Sequence, residues 1–173
     1  MNKSDNSSKT GGDADAALLK LRQSLGRFAT GVTVVTCQGS AGPCGITANS
    51  FSSVSLEPPL VLWNIAKVSN SLQAYLDAEY FAINVLSARQ ESLSAHFALS
   101  DHTVFDGVDF ETSDKGVPIL PDTVACFECR TYQIHDCGDH YIIVGEVETH
   151  RFDDNKPLLF VDGQYTAIAD SAD

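Results

Sequence analysis

Two rhythms of apolar residues run along this chain. Leu18, Leu21, Leu25 and Phe28 recur three and four positions apart, with Lys20, Arg22 and Gln23 between them. That spacing predicts an amphipathic helix, with Asp13 or Asp15 as its N-cap and Gly31 as its stop. The pattern then changes. VTVVTC is rich in β-branched residues and reads as a strand, GITANS returns as a second, and Pro58-Pro59 precedes a third, LVLWNI. Residues 71–78 predict a short helix. YFAINVL is a continuous apolar strand, and ARQESLSAHFAL predicts another helix, N-capped by Ser87 with Gln90 completing a capping box. Residues 100–122 carry few periodic cues and read as loops. VACFECRTYQI and HYIIVGEVETHRF predict a hairpin turning across Asp136-Cys137-Gly138, and PLLFVDGQYTAI supplies one or two closing strands.

Strands therefore outnumber helices, connections are short, and helices do not alternate regularly with strands. This favours a mainly β fold, an antiparallel barrel with peripheral helices, over a parallel α/β sheet. The start, MNKSDNSSKTGGDADA, is polar and rich in Gly and Ser. Residues 1–16 are expected to be a disordered tail and residues 17–173 one domain. The tail lacks the apolar stretch of an export signal, so the expected location is cytoplasmic.

A formal net charge of −12, from 23 acidic and 11 basic residues, argues against nucleic-acid and anionic-membrane partners. Five cysteines, an odd number without an export signal, argue against a disulfide framework. Cys126 and Cys129 spell CxxC inside a β-rich run. Residues three apart on a strand point to opposite faces, so the pair is not expected to grip one metal ion.

GxGxxG, GxxxxGK, HExxH and GxSxG patterns are all missing from the sequence. Any nucleotide phosphate must be held by hydroxyls and isolated cations. Thr47-Ala48-Asn49-Ser50-Phe51-Ser52-Ser53-Val54-Ser55 crowds such groups after a predicted strand, suited to phosphate oxygens or the polar edge of a flat heterocycle. Lys67-Val68-Ser69-Asn70-Ser71 precedes a predicted helix, a second anion-attracting stretch. Serines also populate caps and turns, so composition does not name the ligand. His140, at the hairpin, can donate a hydrogen bond or exchange a proton near neutral pH. Trp63, Phe97 and Phe105 offer flat faces for stacking, with core packing as the competing role.

In order, LGRFATGVTVVTC, GITANSFSSVSLEPPLVLWNIAKVSNSL, YFAINVLSARQESLSAHFA, GDHYIIVGEV and PLLFVDGQY resemble the flavin reductase-like, FMN-binding split-barrel family, from Leu18 to Tyr165. The resemblance implies an enzyme that reduces FMN or FAD with NADH or NADPH and hands reduced flavin to a partner monooxygenase. It also implies a homodimer of split barrels with flavin near the subunit interface. Thr47, Ala48, Asn49 and Ser50 match the stretch beside the isoalloxazine ring, and Ser53, Val54 and Ser55 continue that wall. Lys67, Ser69 and Ser71 match the part meeting ribityl and phosphate groups, and Asn84 is a further contact. His140 matches the position that places the nicotinamide. Many relatives carry an arginine where this chain has Gln164. The implied chemistry is hydride transfer between stacked rings, in which the protein positions its cofactors and no metal takes part. The alternative is a flavin-binding electron carrier on the same fold, which has no need to seat a nicotinamide.

Overall fold

The computed structural model describes residues 9–99 and 105–169. In chain order the elements are α1 (Lys9–Gly26), β1 (Thr30–Gly31), β2 (Thr33–Gly39), β3 (Gly42–Ala48), β4 (Ser52–Leu56) and β5 (Pro59–Ala66). There follow α2 (Leu72–Asp77), β6 (Tyr80–Val85), α3 (Glu91–Phe97), β7 (Glu111–Thr112) and β8 (Pro118–Ile119). The chain closes with β9 (Ala125–Cys137), β10 (His140–Phe152), β11 (Leu158–Val161) and β12 (Gln164–Ala167).

Seven strands form one antiparallel sheet in the order β3-β2-β6-β9-β10-β5-β4. Its two edge strands, β3 and β4, are consecutive in sequence and joined only by Asn49, Ser50 and Phe51. Such a short link forces the sheet to curl until its edges approach, although β3 pairs only with β2 and β4 only with β5. The result is a barrel open along one seam, in line with the expected fold class. Val35, Trp63, Ile65, Phe81, Cys129 and Ile143 fill its interior. A second core, around Val34, Leu86, Phe97 and Leu158, joins the barrel to the small sheet β1-β11-β12. Thr33 to Cys37 in β2 are all buried, which explains why that strand shows no alternation of apolar and charged positions.

Several boundaries differ from the sequence reading. Helix α1 begins at Lys9, inside the stretch expected as tail, and ends at Gly26, so Asp13 and Asp15 lie within it and Gly31 falls in β1. Residues 1–8 of the expected tail lie outside the described residues. Helix α3 begins at Glu91 rather than after Ser87. Only half of the expected box forms: the Ser87 backbone N–H donates to Gln90 Oε1 at 2.9 Å. The β9–β10 turn is Gly138-Asp139, shifted from the expected position because Gly138 supplies the positive φ (62°) that a two-residue turn needs. The Ser-rich run after β3 contains an additional strand, β4. Within the region read as loop, β7 and β8 pair briefly, and residues 100–104 lie outside the described residues. Among the described residues no helix is long and apolar enough to cross a membrane.

Candidate active site

Strand β5 alternates strictly. Val61, Trp63 and Ile65 point into the barrel, so Leu62, Asn64 and Ala66 point outward. The β5–β10 register sets Ile142 opposite Asn64 and His140 opposite Ala66, and across the other edge of β10 Cys137 pairs with His140. These side chains share the outer face of the barrel. At the seam they meet the end of β3 and the link after it. Thr47, Ala48, Asn49, Ser50, Asn64 and His140 are thus among the residues lining one cavity of about 480 Å³. That volume lies in the usual range for small-molecule sites.

The seam is held by side chains. The Asn64 backbone N–H donates to Ser50 Oγ at 2.9 Å, so a hydroxyl stands where the β4–β5 ladder has ended. The Thr47 hydroxyl donates to the Ser94 carbonyl on α3 at 2.7 Å, and the Thr33 hydroxyl to the Ala48 carbonyl at 2.7 Å. With the Thr47 and Ser50 hydroxyls engaged in this way, the wall's groups for a ligand are backbone amides and the Asn49 and Asn64 side chains. On the far side His140 Nδ1 lies 2.7 Å from Asp139 Oδ1. The hydrogen bond from His140, and then its charge, hold the Asp139 carboxyl below the ordinary aspartate value. Nε2 of His140 is left for a ligand.

Lys67 follows β5 directly. Its backbone N–H donates to the Asp139 carbonyl at 2.9 Å, which keeps it beside the hairpin turn. Its ammonium donates to Asp136 Oδ1 at 2.5 Å and lies 5.2 Å from the centroid of the Tyr141 ring. The hydrogen bond to Asp136 raises the lysine above its ordinary pKa. A phosphate approaching Lys67 would compete with Asp136.

Not every residue singled out from the sequence reaches this cavity. Ser53, Val54 and Ser55 lie on edge strand β4, outside it, and Ser55 Oγ accepts the Glu57 N–H. Ser69 Oγ accepts the Ser71 N–H within the loop. Ser71 faces a different cavity, of about 420 Å³, beside the β2–β3 turn. Helix α2 is six residues long and Ser71 makes no side-chain cap on it. Asn84 requires a correction. It is fully buried, its Nδ2 donates to the Val34 carbonyl and Thr36 Oγ1, and its Oδ1 accepts from the Leu120 N–H and Cys126 Sγ. With both ends of the amide occupied inside the fold, Asn84 has no atom left for flavin. Trp63 and Phe97 are core residues, and Phe105 packs edge-on against Phe97.

The CxxC pair behaves as strand geometry demands. Cys126 packs in the cluster with Val117 and Ile119, whereas Cys129 packs in the barrel interior. Burial pushes each thiol up to about 12.

Asn64, Cys137 and Ile142 were not singled out from sequence. The signal that could have found Asn64 is the alternation of LVLWNIA, which sets it on the face opposite buried Trp63 and Ile65. Only the β5–β10 register, which the sequence does not print, aligns it with Ile142 and His140.

Residues 25–169 match the family described as flavin reductase like domain. The chain belongs to this family. Among relatives of this flavin reductase-like chain, the FMN reductase (NADH) SmoA of Agrobacterium fabrum is 53% identical over 144 residues, 83% of this chain and 82% of the relative. The reductase subunit HsaB of a flavin-dependent monooxygenase of Mycobacterium tuberculosis is 40% identical over 150 residues, 85% and 80% of the two chains. Among solved structures, the NADH:FAD oxidoreductase SgcE6 of Streptomyces globisporus, in complex with NAD and FAD fragments, matches with a TM-score of 0.85 at 41% identity. The match covers 90% of this chain and 95% of that one. This likeness identifies the seamed sheet as the split barrel expected from the sequence.

Proposed function

We propose that this chain is an NADH-dependent flavin reductase that supplies reduced FMN or FAD to a separate monooxygenase. The observation that carries the reading is the convergence, in one cavity at the barrel seam, of the Thr47–Ser50 stretch and His140. The curated relatives described above are named as an FMN reductase using NADH and as the reductase subunit of a monooxygenase.

The residues present fit a flavin and a nicotinamide. The cavity combines apolar surface from Ile46, Ala48 and Ile142 with amide groups and one histidine, and contains a buried carboxamide oxygen without a partner. When bound, flavin supplies the hydride acceptor and NADH the donor. Backbone amides from Thr47 to Ser50 hold the polar edge of the flavin ring, fixed in place by the Ser50 and Thr47 hydroxyl anchors. Ala48 and Ile142 limit water at the reacting faces. His140 orients the nicotinamide, itself oriented through Nδ1 by Asp139. Lys67 meets the flavin phosphate once Asp136 yields it. In this reading Ser53, Val54, Ser55, Ser69 and Ser71 contribute only where a second subunit or the flavin's extended tail brings them near. The proposal includes a homodimer, because the apolar stripe of α1 is uncovered in a single chain. It also includes a cytoplasmic location, where NADH is generated.

Steady-state oxidation of NADH and NADPH, each with FMN and with FAD, tests the reading. NADH consumption should depend on added flavin. Turnover at background with both flavins at saturation would overturn it.

A further inference from the structure

Asn64 stands out among the groups lining the cavity. Asparagine is disfavoured within strands, yet it occupies the middle of β5 between buried Trp63 and Ile65. Its main chain is satisfied by Ser50. Its side chain is not: Oδ1 is shut off from water and has no hydrogen-bond partner. Only Thr30 Oγ1 and Trp63 Nε1 share that condition among the described residues, and neither lines the cavity. A buried acceptor without a donor carries a desolvation cost that an apolar residue of the same size would avoid. Three of the other polar side chains around it are engaged within the fold. The Thr47 and Ser50 hydroxyls hold the backbone, and His140 Nδ1 is engaged by Asp139.

We propose that Asn64 is a positioning residue that docks a planar ligand edge on which C=O and N–H lie side by side. A carboxamide is complementary to such an edge, with Oδ1 accepting and Nδ2 donating, and rotation about its last torsion turns either end to the ligand. The inference rests on the proposed reading of this cavity. Two ligands of that reaction present the required edge, the pyrimidine portion of the flavin ring and the carboxamide of nicotinamide. Docking either one fixes its in-plane orientation against His140, which stacking alone leaves undefined.

The test uses the full chain with Asn64→Leu, close in volume and apolar, and Asn64→Asp, which keeps the shape and lacks the donor. Three quantities are measured: thermal unfolding without ligand, FMN and FAD dissociation constants by fluorescence, and the NADH KM at saturating flavin. For Asn64→Leu the unfolding temperature should hold or rise, because the orphaned oxygen is gone. One ligand constant should rise about tenfold, the flavin Kd if the ring is docked or the NADH KM if the nicotinamide is. Asn64→Asp should weaken the same ligand, and it decides the matter should the leucine variant fail to fold. Unchanged constants for both ligands in an active protein would overturn the proposal and leave the reductase reading standing. So would a fall in unfolding temperature that accounts for the whole loss of binding. A wild-type chain that neither binds flavin nor oxidises NADH would remove both.

Discussion

At the scale of single residues, buried polarity in this chain divides into satisfied and unsatisfied groups, and the division assigns roles. His140 is half exposed, held by Asp139, and faces the cavity. On its proposed role His140→Ala would remove one hydrogen bond to the nicotinamide, so kcat/KM for NADH should fall roughly tenfold, whereas the flavin Kd should stay within about twofold. Parallel steady-state and fluorescence titrations check this, and equal losses in both would contradict a role toward nicotinamide. Asn84 shows the opposite behaviour. Asn84→Leu leaves the buried Leu120 N–H and Val34 carbonyl without their side-chain partner, at a cost of about 2–4 kcal/mol. Urea unfolding should show that loss, with flavin affinity of the folded protein preserved. The thiols give a third check. Cys126 and Cys129, raised to about 12 by burial, remain protonated at pH 8, whereas Cys137 is exposed at the hairpin. A thiol-disulfide reagent at that pH should label Cys137 quickly and the CxxC pair only on unfolding, as peptide mapping would reveal.

At the scale of elements, the long β9–β10 hairpin carries His140 at its turn and packs the barrel interior at its middle. Gly145 on β10 sits at a register shift against β9. An added Cβ there would stand 2.5 Å from Phe81 Cζ and 2.8 Å from Cys129 Cβ, inside the packed interior. Gly145→Ala should therefore cost roughly 1–3 kcal/mol, read as a lowered urea midpoint. Elements of this kind were the most legible part of the sequence. Strand and helix periodicity gave the order and type of most of them, because burial on one face writes a period into the chain. Two things were not legible. One was the start of α1 and of α3, where capping chemistry at Asp13, Asp15 and Ser87 was read as a boundary although the helices begin elsewhere. The other was register. Sequence singled out the Thr47–Ser50 stretch and His140 as separate candidates, and the resemblance assigned Asn84 to flavin. Whether a polar residue on a strand faces a cavity or an internal partner depends on the neighbouring strand. Asn84 and Asn64 are both asparagines in apolar strands. Their different surroundings come from β2 and β9 around the first and from β10 and Ser50 around the second.

At the scale of the whole molecule, a run of uncovered apolar side chains lies along α1, while others, such as Val68, Leu99 and Phe152, are exposed singly elsewhere. Leu18, Leu21 and Leu25 of α1 are 48%, 54% and 65% exposed, and Phe28 just beyond the helix is 79% exposed. Most of the stability of an amphipathic helix comes from burying its apolar stripe, which on α1 faces solvent in the single chain. Leu56, at the end of edge strand β4, is a separate exposed apolar residue, 93% exposed. In the proposed homodimer a second copy of the chain would cover the α1 stripe, and the family resemblance implies flavin near that interface. Opposing this, each subunit carries a formal −12, so two copies would bring together −24 (2 × −12). That repulsion is screened by salt, whereas apolar burial is not. The proposed dimer should therefore tighten as ionic strength rises from near zero to physiological, the reverse of an association driven by opposite charges. Introducing a charge into the stripe, as in Leu21→Asp with Leu25→Asp, should convert dimer to monomer in sedimentation velocity and weaken flavin binding in the same step. If the double variant were monomeric and bound flavin as tightly as the parent chain, the cavity would be complete within one subunit. A wild-type chain sedimenting as a monomer at physiological salt would leave the stripe of α1 to some other partner.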